Sequence, residues 1–457
     1  MHFIKCLPGI IRIGALFNEN QQEEKLALKI AVERINSDMT LIAPTKLIET
    51  TEAINNFDSF ISGFQTCSML KNGASAIFGP LNDISAMHVR SICDSLEVPH
   101  IEVLRDFKLH NLRHSINFHP HPSILSHAFI DLITALNWKR FAIAYEDSVD
   151  VLMASKFLND RTFGRFGKEN KNWKIMRMNE YNILIDVRTE NLYQVLKEAQ
   201  QIGILTQKYN FIITSLDLHT IDLEDFKYSK ATILSFSLLH KSSPELLTLL
   251  HSWDFHAKNF GENISSPVQI KTSTALIYDS VKHFVKAIKA IDVSTPINRI
   301  PATNHSDFCN DMKPWKQGTS VINQMLSTES SGITGRIHFS QQRYRSLFTL
   351  HLQKLDENGL RNCGKCPELS LLNVGGVFIV LIFGFAVAII LAFVELVYCC
   401  RKWDDPELSL CEKIKEELRF ALNFKEKLKK NRKKESENGE SEKTLEKTHL
   451  TTSSLST

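Results

Sequence analysis

The sequence predicts an α/β protein: two lobes built on doubly wound parallel sheets, then one transmembrane α-helix and a partly disordered tail. Three observations carry this. From Gly9 to Phe339 short apolar runs alternate with segments of helical periodicity, the pattern of parallel βαβ units. A chain of 457 residues exceeds what a single core usually organises, so two lobes are expected. The 26 residues from Leu369 to Val394 carry no charge, and Val374 to Val394 is almost wholly apolar.

Ile10 to Phe17 reads as the first strand, and Leu28, Ala31, Val32 and Ile35 then give the stripe of a helix buried on one side. The cycle repeats with helix Asp58–Leu70, strand Ala76–Phe78, helix Ile84–Leu96 and strand His100–Leu104. A second set runs through strand Arg140–Tyr145, helix Val149–Leu158, strand Trp173–Met178, helix Tyr193–Ile202 and strand Tyr209–Thr214. Late segments are expected to return to the first lobe and its hinge: helix Ala275–Ile291 and strands Gly335–Phe339 and Leu347–Gln353.

A hydrocarbon core of about 30 Å needs about 20 helical residues, so 374–398 is expected to span a membrane. Arg401 and Lys402 follow at once, and Lys425 to Lys434 holds seven basic side chains and one acidic one. The positive-inside bias therefore puts the carboxyl end in the cytoplasm and the large amino-terminal part outside. Segment 399–434 reads as basic and amphipathic, suited to anionic lipid, and 435–457 as too polar to fold alone. Met1 to Pro8 is too short for a cleavable signal, so none is evident in this sequence.

The net charge of +3 gives no whole-chain reason to expect a nucleic-acid partner. No nucleophile elbow, phosphate loop, metal quartet or mechanistically spaced carboxylate pair is present; no enzyme activity, cofactor or metal is expected. Nine cysteines fall before, beside and after the apolar segment, so their redox compartments should differ.

Several runs resemble the amino-terminal domain of kainate-type ionotropic glutamate receptors. They are IRIGALF at the start, AIFGP at Ala76–Pro80, SICDSLEVPHIEV at Ser91–Val103, NWKRFAIAYED at Asn137–Asp147, ITSLDLHTIDLEDFKYS at Ile213–Ser229 and GITGRIHF at Gly332–Phe339. Asn373 to Tyr398 is similar to the family's last transmembrane helix. The resemblance implies a two-lobed periplasmic-binding-protein type I clamshell over 9–362, joined by a short linker, 363–373, to the membrane helix. It also shows what is missing between them: the glutamate-binding clamshell, the pore loop and the SYTANLAAF helix motif. A single spanning helix cannot line a selectivity filter by itself.

By resemblance Cys67 and Cys309 form the family's disulfide. Cys93 reads as a buried apolar thiol, while Cys363 and Cys366 invite either a mutual or an intermolecular bridge. Relatives bind a ligand carboxylate at the helix start after the Gly-Pro turn, here Gly79-Pro80-Leu81-Asn82-Asp83; Asn82 or Asp83 is read as a helix cap that disfavours such a ligand. A small-molecule ligand is accordingly not expected. His110, His114, His119, His121 and His127 read as solvated or loop residues rather than a zinc site. Asn263 and Asn304 head glycosylation triplets, and Cys399 and Cys400 at the membrane edge suit palmitoylation.

Three functional readings result. The first is a non-conducting, single-pass plasma-membrane subunit, postsynaptic by analogy, that pairs with itself or with kainate-type subunits through helices near Asp58–Leu70 and Ile84–Leu96. The second is an incomplete gene model or splice form of a glutamate-gated cation channel. The third is a receptor ectodomain that senses a small ligand.

Overall fold

The computed structural model describes residues 7–55, 58–106, 113–145, 180–240, 243–261, 269–291, 309 and 312–363, with backbone alone at 165–166, 168–169 and 172–173. The first lobe begins with β1 (Ile10–Asn18), α1 (Gln22–Ser37), β2 (Lys46–Ile54), α2 (Ser59–Lys71), β3 (Ala74–Phe78), α3 (Asp83–Ser95), β4 (His100–Glu102) and β5 (Ser115–Pro120). The chain then crosses to the second lobe for α4 (Pro122–Ala135) and β6 (Ala142–Tyr145). The short β7 (Arg165–Phe166), β8 (Lys168–Glu169) and β9 (Asn172–Trp173) follow, then β10 (Asn182–Asp186), α5 (Thr189–Gln201), β11 (Asn210–Ile213) and β12 (Thr232–Ser237). It returns for α6 (Pro244–Asn259), α7 (Thr272–Ala290), α8 (Gly318–Ser327), β13 (Ser330–Gly332), β14 (Gly335–Phe339) and β15 (Tyr344–Leu347). A last crossing adds β16 (His351–Asp356) and β17 (Gly359–Asn362) to the second lobe.

The first sheet runs β13-β14-β15-β5-β4-β3-β1-β2 and the second β17-β16-β12-β11-β10-β6-β7. Both therefore share a run of five parallel strands in the order second-first-third-fourth-fifth, counted along the chain within each sheet, and β15 extends the first run by pairing parallel with β5. In such sheets the crevice off the strand carboxyl ends, where the order reverses, is where ligands bind. Here the reversals lie between β1 and β3 and between β6 and β10.

Burial explains the elements. Strand β1 is buried on both faces over Gly14–Leu16, as a central parallel strand must be, which is why its apolar run is nearly continuous. Helix α1 buries Leu26, Ala27, Ile30, Ala31 and Ile35 and packs on α7, the most deeply buried helix of the first lobe. The Asp58 side chain accepts from the Ile61 N–H at 2.9 Å and caps α2.

One expectation is corrected. Leu347–Gln353 is not one strand: β15 pairs with β14 and β5 in the first sheet, whereas β16 pairs antiparallel with β12 in the second. Phe348 and Leu350, between them, pack against cores of both lobes, so the apolar run continues through a crossover without strand alternation. The expected helix Val149–Leu158 and strand Trp173–Met178 lie outside the described residues, apart from the backbone of Trp173. So does the expected span 374–398; among the described residues no helix is long and apolar enough to cross a membrane.

Candidate interlobe cleft and assembly face

At the carboxyl end of β3 the chain turns through Gly79, with φ at +73°; a Cβ there would stand 2.6 Å from the Leu16 carbonyl oxygen. Only glycine fits. The Asn82 side chain accepts from the Ser85 N–H at 2.8 Å, capping α3, and Asp83 sits exposed in the first turn, where the helix dipole favours its charge. Both residues thus act at the helix start. Beneath α3, Arg90 grips Glu102 with both arms, at 2.6 and 2.7 Å, and reaches Asp106 at 3.2 Å. His100 lies 2.9 Å from Glu102 and directs its Nε2 to the Gly79 carbonyl at 2.7 Å. Burial by itself would raise the Glu102 pKa, but His100 and Arg90 outweigh it and hold the carboxyl down to about 2.

Across the cleft, Arg105 after β4 donates to Asp186 at the end of β10, 2.8 Å away; Asp186 also accepts from the Thr214 hydroxyl. Asp217 of the second lobe accepts from the Thr272 N–H at 2.7 Å and its hydroxyl at 2.6 Å, capping α7 of the first lobe. The His219 ring reaches the Ile270 carbonyl at 2.9 Å. A groove of about 760 Å³ opens alongside, lined by Glu23, Asp222, Glu224, Lys227 and Lys271 among others. Its charges are mixed, and Lys227 already pairs with Glu224.

A disulfide joins Cys67 in α2 to Cys309, with Cα atoms 5.4 Å apart. Cys93 is fully buried in α3. Cys363 is disulfide-bonded, to a partner outside the described residues. Asn263, Asn304, Cys366, Cys399, Cys400 and His110 lie outside them as well. The histidine reading is corrected for His119. His114 is a loop residue before β5 but a buried one, 3.0 Å from both Asp94 and Thr319, whereas His119 is buried in β5 itself, its Nδ1 2.8 Å from the Pro120 carbonyl. Burial, with Arg105 nearby, drives the His119 pKa down to about 4, so the ring is neutral at pH 7. His121 caps α4, and His127 is exposed on it. Among the described residues no group of three His, Cys, Asp or Glu is arranged to hold a metal.

Helices α2 and α3 lie side by side. On them Phe60 is 70% exposed, Phe64 44%, Ile84 47% and Met87 51%, a group among the large apolar side chains that stand exposed in the described residues. Sequence reasoning named these helices but not these side chains. The signal was there in Phe60 and Phe64, four apart and on the side of the helix away from the buried Ser62, Thr66 and Met69.

Residues 23–358 match the family model of the receptor family ligand binding region. The chain is 30% identical over 395 residues to glutamate receptor ionotropic, kainate 1 of Mus musculus, covering 80% of this chain and 46% of that protein. To the Homo sapiens protein of the same name it is 30% identical over 382 residues, covering 77% and 40%. The chain spans less than half the length of these relatives. With its paired sheets and interlobe crossovers, the chain belongs to the receptor family ligand binding region, and its two-lobed part is an amino-terminal domain of the kainate-type ionotropic glutamate receptors.

Proposed function

We propose that this chain is a single-pass, plasma-membrane, receptor-like subunit whose extracellular clamshell assembles with like domains, its own or those of kainate-type subunits. The observation that carries the reading is the apolar face of α2 and α3. Four large side chains there stand in water in the isolated chain, and exposed clusters of this kind mark protein–protein contacts. A second copy, or a related domain with the same face, would bury them symmetrically. The sequence offers one apolar segment, 374–398, as anchor, and a lone helix has no means of forming a selectivity filter. The subunit is therefore read as non-conducting and modulatory, with lipid contact limited to the span and the basic stretch after it.

The test is self-association of the full chain, followed by sedimentation, and co-purification with a complete kainate-type subunit. Phe60→Glu together with Met87→Glu should weaken association roughly 30-fold, the loss expected for a hot spot placed at an interface centre. Unchanged association would refute the assembly reading.

A further inference from the structure

We propose that the interlobe cleft carries its own ligand: the Asp186 carboxylate of the second lobe fills the anion position that Arg105 of the first lobe presents, holding the lobes together without a small molecule. The placement comes from topology. Asp186 is the last residue of β10, at the point where the second sheet's strand order reverses, which is where an open α/β sheet receives a ligand. Arg105 leaves the carboxyl end of β4 in the opposite lobe and meets it at 2.8 Å. Thr214, at the end of the adjacent β11, donates its hydroxyl to the same carboxylate oxygen. A guanidinium and a hydroxyl converging on one carboxylate, across two lobes, is the donor set a binding protein offers to an acid. In this chain the acid is covalently attached.

The surroundings fit a filled position. The Asp186 side chain is 4% exposed and that of Arg105 28%, so the pair closes the inner cleft while one partner keeps some water. Neutral His119 packs near Arg105 and adds no competing charge. A free acid would have to displace a tethered carboxylate that loses no translational freedom on binding. Asp217 repeats the arrangement a short distance along the chain: its carboxylate occupies the N-terminus of α7, another place that attracts anions. Two carboxylates of the second lobe thus occupy anion-favouring positions of the first. The inference stands apart from the assembly reading, because it concerns lobe closure within one chain.

The experiment is thermal unfolding of the purified full chain, with formate as probe and chloride at equal ionic strength as control. Asp186→Ala should lower Tm by roughly 2–6 °C. Formate should then raise the Tm of this variant but not of the wild type, and Arg105→Ala added to it should abolish the rescue. If formate acts no differently from chloride on Asp186→Ala, the proposal is overturned. Should that variant fail to fold, a double-mutant cycle of Arg105→Ala with the isosteric Asp186→Asn replaces it. A clear coupling between the two sites supports the internal ligand; additive effects overturn it.

Discussion

The two lobes share a strand order but stabilise it differently. Inside the first, charges are part of the core: Arg90 and Arg345 are both almost completely buried, with Glu102 and Asp279 beside them. Arg345 donates to the Thr334 hydroxyl and to the carbonyls of Thr334 and Arg336, each at 2.7 Å, and Thr334 in turn donates to Asp279. The second lobe centres on Ile183, Leu184, Ile185, Phe211, Ile212, Ile213 and Ile233, and its ion pairs, such as Lys197 with Asp225, face water. Buried polar networks fix one geometry at high cost if incomplete, whereas an apolar sheet core tolerates more variation. The lobe bearing the exposed α2–α3 face is the one whose helices are fixed by charge.

The largest effect that would test this contrast comes from Asp279→Ala. Three donors, the N–H groups of Ile333 and Thr334 and the Thr334 hydroxyl, lose their acceptor, and Arg345 loses its compensating charge. Burial already pulls the Arg345 pKa down to about 10, and it stays charged at pH 7. Urea unfolding should register a loss of about 3–5 kcal/mol. A loss no greater than that of a surface substitution would dissolve the distinction between the lobes.

Next comes Glu102→Gln, expected to cost on the order of 3 kcal/mol at neutral pH. Its folded pKa lies below the ordinary value, so its contribution is complete above pH 4.5 and fades as pH falls toward about 2. The stability gap between wild type and variant should narrow over that window in denaturant titrations run at each pH. A constant gap would mean the charge of Glu102 contributes little. At the small end, Asp225→Ala in the second lobe should leave the unfolding midpoint unchanged, although it removes contacts to Lys197 and Tyr193.

The same contrast decides what was legible. The second lobe's strands Ala142–Tyr145 and Asn210–Ile213 announce themselves as apolar runs, and β1, α1, α2 and α3 follow their periodicity closely. Strand β5 did not, since SINFHP places Ser115, Asn117 and His119 in a strand with little exposure. Two of them find partners 13 residues back in the chain, Asn117 donating to the Leu104 carbonyl and Ser115 to Glu102, and His119 turns to the adjacent Pro120 carbonyl. Composition alone makes such a segment look solvated. The cleft was equally hidden. Arg105 and Asp186 are 81 residues apart, Asp217 and Thr272 are 55 apart, and no local spacing links either pair. The Asn82 cap, being local, was readable.

The final hairpin has a mechanical consequence. Among the described residues strand β17 is the outermost strand of the second sheet and pairs only with β16, from Asp356–Gly359 at the turn to Gln353–Asn362 at the open end, where the Cys363 N–H meets the Leu352 carbonyl at 2.9 Å. Tension applied to the chain beyond Asn362 would load these hydrogen bonds one after another from the open end, as a zipper is drawn, rather than all together in shear. The domain would yield first at its exit strand, and neither the first lobe's charged interior nor the Cys67–Cys309 bridge lies in the path of that force.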